Sequence, residues 1–97
     1  MSERPALEQL MGAYFHQDWK DDGTVWDVVD LFVSHEPELA RALPDEVEST
    51  LTDKSTEPEL KDYVIRELGA YYLADASGGT FREWLTEIAD RVRTPAT

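Results

Sequence analysis

Apolar positions recur at helical spacing in five stretches of the chain, and no two-residue hairpin signal lies between alternating runs, so the pattern predicts an all-α fold of about five helices. Pro5 suits a first helical turn, and Leu7, Leu10, Met11 and Tyr14 follow at i, i+3, i+4 and i+7, which predicts a helix over about 5–15. After the turn signal Asp21-Asp22-Gly23, Thr24 is placed as an N-cap with Asp27 as its capping-box partner. Val25, Val28, Val29 and Phe32 carry that helix to about residue 34, although their β-branching leaves a strand as the competing assignment. Leu39, Leu43, Val47 and Leu51 form the next stripe behind Pro37. Pro44 inside it removes a backbone donor and disfavours α geometry at Leu43, so a break or kink is expected near 43–44. A second break is expected at 53–56. Thr56 then caps a helix opened by Pro58 and carrying Leu60, Val64 and Leu68, with Gly69 near its end. Beyond the flexible Gly78-Gly79 joint, Thr80 and Glu83 make a capping box ahead of Phe81, Trp84, Leu85, Ile88 and Val92. Arg91 and Arg93 complement the dipole at that helix's end, and 94–97 reads as a frayed tail.

A chain of 97 residues suits one domain, spanning 1–97. Surface scaling gives roughly 5,700 Å² folded against about 16,000 Å² extended, so folding hides about 65% of the chain without staples. Cysteine is absent, which removes disulfides, thiolate metal sites and cysteine nucleophiles. No apolar run long enough for a signal peptide or a membrane span occurs, and a cytoplasmic location is expected. The formal net charge is −12, from 21 acidic and 9 basic residues. Phosphate backbones and anionic lipids repel such a chain, so direct nucleic-acid and membrane binding are disfavoured. Fourteen of the acids lie within residues 18–62, against four bases. A field this concentrated steers a basic protein partner, whereas the plainer alternative is a set of solvated helix faces that confer solubility.

The densest chemical cluster is Tyr14-Phe15-His16-Gln17-Asp18-Trp19. A calcium loop starting at Asp18 fails, because Lys20 and Val29 would stand where oxygen ligands are needed. His16 and Asp18 could share a metal with Asp21 or Asp22, but His35 is the only other imidazole. No serine lies in a nucleophile elbow and no glycine-rich phosphate loop occurs, so hydrolase and nucleotide chemistry lack their parts. The structural reading is favoured: Tyr14, Phe15 and Trp19 fill a core while His16, Gln17 and Asp18 hydrogen-bond backbone at the helix end. Tyr71, Tyr72 and Trp84 are read the same way, as core aromatics. No cofactor or metal is expected.

The block Tyr14-Phe15-His16-Gln17-Asp18-Trp19, together with Gly79-Thr80-Phe81-Arg82-Glu83-Trp84-Leu85, resembles the two signature blocks of bacterial contact-dependent growth inhibition immunity proteins of the CdiI type. The likeness spans about residues 7–92. It implies a small α-helical cytosolic protein, not an enzyme, that binds and neutralises the C-terminal toxin domain of a cognate CdiA-type effector; many such toxins are nucleases. Residues 36–62 match no motif of the family, and toxin specificity usually resides in variable surfaces of that kind. The acids expected to be exposed and to face a basic toxin are Asp27, Asp30, Glu36, Glu38, Asp45, Glu46 and Glu48. Two other readings stand beside this one: an acidic helical adaptor or anti-factor for another basic protein, and a small metal-dependent hydrolase using His16 and Asp18.

Overall fold

The computed structural model describes residues 4–74 and 78–93, and every regular element within them is helical. The expected tail at 94–97 lies outside the described residues. Helix α1 begins at Pro5–Gln9 and loosens into a π turn at Leu10–Tyr14, closed by the Phe15 N–H donating to the Leu10 carbonyl at 2.9 Å. A 3₁₀ turn, Trp19–Asp22, leads to α2, Val25–His35, and then to α3, Pro37–Asp53. Helix α4, Glu57–Asp62, also ends in a π turn, Tyr63–Glu67, where the Leu68 N–H reaches the Tyr63 carbonyl at 2.9 Å. Helix α5 is Phe81–Arg93.

Threonines set the N-termini of α2, α4 and α5. Thr24 accepts from the Asp27 N–H while Asp27 accepts from the Thr24 N–H, a complete capping box that decides α2 in favour of helix despite its valines. Gly23 precedes this cap at φ 123°, and a Cβ there would lie 2.6 Å from an Asp27 carboxylate oxygen, so the box requires glycine beside it. Thr56 accepts from the Glu59 N–H. Thr80 accepts from the Glu83 N–H and donates its hydroxyl to the Glu83 carboxylate.

Of the break or kink expected near 43–44, the break does not occur: α3 is helical from Pro37 to Asp53, through Pro44. The Ala40 carbonyl forgoes its usual donor there. The neighbouring turn compensates, because Leu43, Pro44 and Val47 are all buried and α3 packs along both α5 and α1. Tertiary burial overrides the local propensity.

The core runs through all five helices, with Leu7, Leu10, Phe15, Val28, Phe32, Leu43, Leu60, Leu85 and Ile88 fully buried. The radius of gyration, 12.2 Å, is close to the roughly 12.5 Å expected for a compact chain of this length. No helix among the described residues is long and apolar enough to cross a membrane.

Candidate functional site

The π turn that ends α1 turns Phe15 into the core, where it meets Trp84 edge-on with ring centroids 5.1 Å apart. Trp19 packs on Phe15 at 5.8 Å, and Phe81 on Trp84 at 6.3 Å. Tyr72 lies among them, 4.7 Å from Trp84 and 5.4 Å from Trp19. The two sequence blocks, more than sixty residues apart, thus join in one aromatic cluster. Backbone ties complete the junction: the Tyr71 N–H donates to the Phe15 carbonyl at 2.9 Å, and the Trp19 indole N–H donates to the Tyr71 carbonyl at 3.3 Å.

The remaining members of the blocks have other neighbours. Tyr14 is half-buried, edge-on to Phe32 at 5.2 Å; its burial, and after that the neighbouring Glu36 carboxylate, raises the phenol above its ordinary pKa. His16 Nδ1 accepts from the Asp18 N–H at 3.0 Å, while Gln17 and Asp18 are exposed. Leu85 is in the core, and Arg82 lies on the surface, its guanidinium close to the Leu51 and Ser55 carbonyls. Tyr71 corrects the expectation of a core aromatic, being 61% exposed. Its side chain is open to solvent, while its backbone helps to hold the cluster.

The acids of residues 18–62 divide into two groups. Glu46 was expected to be exposed and is instead buried, because its carboxylate accepts from the Ala6 and Leu7 N–H groups at 3.2 and 2.9 Å. Helix α1 has no side-chain cap of its own, so α3 supplies one. Glu57 does the same for α5, accepting from the Phe81 and Arg82 N–H groups at 2.7 and 3.0 Å. Asp27 belongs to its capping box. Asp30 receives two bonds from Arg91, at 2.8 and 2.7 Å, which hold its carboxyl below the usual carboxylate range and tie α2 to α5. Glu48 pairs with Arg93 at 2.8 Å, and Glu36 is half-buried. Glu38 and Asp45 are exposed and make no hydrogen bond or ion pair among the described residues.

No group of three or more His, Asp or Glu side chains converges into a metal-binding arrangement among the described residues. The surface can present charge and shape to another macromolecule.

A chain of the crystal structure of a CdiA-CT/CdiI complex from Y. kristensenii 33638 shares this fold, with a TM-score of 0.85 over 94% of the present chain and 99% of that one, at 22% sequence identity. No curated protein matches. The family model for the CdiI immunity protein matches residues 3–92, a span that takes in both aromatic blocks and all five helices but for the last residue of α5. The chain belongs to the CdiI immunity protein family.

Proposed function

We propose that this protein neutralises one CdiA-type toxin domain by binding it tightly and covering its active site or substrate path. The family match over residues 3–92 carries the reading. An immunity protein acts by occupancy, and an acidic, rigid helical surface is suited to that task. The net charge of −12 attracts a basic domain and competes with any polyanionic substrate for it. Glu38 and Asp45, which are exposed and make no hydrogen bond or ion pair among the described residues, are the acids of α3 best placed to meet such a domain. Exposed ion pairs are individually worth only about 0–1 kcal/mol, so affinity also needs desolvated anchors at the centre of the contact. The protein acts in the cytoplasm, where an incoming toxin would meet its target.

Co-expression with its cognate CdiA-type C-terminal toxin domain tests the reading. Cells making both should grow, and the two chains should co-purify in a fixed ratio. Growth arrest with no co-purification would remove toxin binding as the function.

A further inference from the structure

Between the start of α2, the chain around Tyr72 and the first two turns of α5 lies a cavity of about 410 Å³. Its wall joins the rings of Trp26, Tyr72 and Trp84 to the acidic side chains of Glu83 and Glu87. Among the described residues no Lys, Arg or His lines it. Aromatic faces beside carboxylates are what a guanidinium satisfies at once: the ring quadrupole attracts its charge and the oxygens accept its N–H groups.

The fold itself uses this combination twice. Arg91 lies 5.5 Å from the Trp26 ring centroid while bonded to Asp30, and Arg4 lies 5.4 Å from the Tyr63 ring centroid while bonded to Asp53. The cavity offers rings and carboxylates in the same association, and among the described residues the only cation against one of its rings, Arg91 on Trp26, does not itself line it. Trp84 adds an independent observation. It is only 5% exposed, and its Nε1–H is shielded from solvent with no acceptor among the described residues. A buried donor left in this way is costly.

We propose that this cavity receives an arginine side chain of the toxin domain, its guanidinium set against the rings and bonded to Glu83 and Glu87. The proposal rests on the toxin-binding reading above and locates one anchor of that contact. Arginine fits better than lysine because its planar fork engages a carboxylate through two N–H groups while stacking on a ring.

Glu87 is the residue to change, since it is exposed and makes no hydrogen bond or ion pair among the described residues, whereas Glu83 belongs to the Thr80 cap. In the full-length protein, Glu87→Lys should weaken binding of the toxin domain by about thirtyfold or more and Glu87→Gln by about three- to tenfold, with melting temperature unchanged. Glu67→Lys makes the same charge change on the π turn of α4 and should alter affinity by less than about threefold. Separately, Nα-acetyl-arginine amide should shift the indole N–H resonances of Trp26 and Trp84 saturably, and the uncharged citrulline analogue should not. Equal affinity for wild type and Glu87→Lys, or equal losses for Glu67→Lys and Glu87→Lys, would overturn the proposal while leaving toxin binding intact. If the wild type binds no toxin domain, the toxin-binding reading fails by itself, and the arginine titration then decides the cavity: unmoved indole signals would end the proposal.

Discussion

Glu46 carries a structural duty that its charge does not announce. Two backbone N–H groups at the start of α1 have their acceptor in this one carboxylate, which also lies at the positive end of the helix. Glu46→Ala leaves both donors buried without a partner and should destabilise by about 2–4 kcal/mol, measured by urea unfolding, whereas Glu46→Gln keeps one acceptor oxygen and should lose about half of that. A loss under about 0.5 kcal/mol for the alanine variant would mean that water replaces the carboxylate freely. Arg4 is its counterpart on the same helix end, donating to the Tyr63 hydroxyl, to Ser49 and to Asp53, so the entry to α1 is held from α3 and from the π turn of α4. Trp84 shows the reverse relation between chemistry and burial, a large apolar surface with a polar atom that has no partner among the described residues. Trp84→Ala should cost about 3–5 kcal/mol, the deletion of a buried aromatic together with the cavity it leaves. Trp84→Phe keeps much of the packing and removes the unpartnered N–H, so it should cost no more than about 1–2 kcal/mol. Equal losses for the two variants would show that the indole nitrogen finds a partner in solution.

At the scale of elements, what the sequence discloses depends on how far apart the interacting groups are. The N-caps at Thr24, Thr56 and Thr80 bond groups three residues on, so their chemistry is visible in a short window and the helix starts were legible. Glu46 and Glu57 cap helices that begin 40 and 24 residues away, and nothing local separates them from solvated acids. The π turns are hidden for a related reason: an i→i+5 bond needs no special residue, yet it decides that Phe15 meets Trp84. Pro44 does not break α3, because its local penalty is real and is outweighed by burial, which a one-dimensional pattern cannot weigh. Within the aromatic cluster the members of the two blocks could be named from the sequence, but not their convergence or the central place of Tyr72. The tie between α2 and α5 through Asp30 and Arg91 makes a prediction of its own. The bonds from Arg91 lower the Asp30 pKa, so this contribution to stability is present above the ordinary carboxylate range and fades as pH falls through the depressed value. Asp30→Asn should therefore flatten the acid limb of the stability profile and leave the limb above neutral pH parallel to wild type. Because the pair is exposed, the loss at pH 7 should be no more than about 1 kcal/mol. An unchanged acid limb would mean that the pair does not persist in solution.

At the scale of the whole molecule, the question is which part of the net charge of −12 reaches a partner. Asp27, Asp30, Glu46 and Glu48 are engaged within the fold, and neutralising the first three would disturb caps and ties as well as the field. Glu38 and Asp45, both on α3, are the clean probes, being exposed and bonded to nothing described. Glu38→Gln with Asp45→Asn should change stability by less than about 0.5 kcal/mol, as surface substitutions away from structural features usually do. If this surface guides the toxin domain, the same pair should slow association by about two- to fivefold at low salt, flatten its dependence on ionic strength, and leave dissociation nearly unchanged. The control must remove equal charge elsewhere, because lowering the net charge alone weakens long-range attraction. Glu67→Gln with Asp90→Asn does so on the π turn of α4 and on α5. Stopped-flow association across a salt series compares the two pairs directly. Equal slowing by both would assign the effect to total charge and take the special role from α3, and slowed dissociation confined to the first pair would show repulsion at a contact already formed rather than guidance toward it.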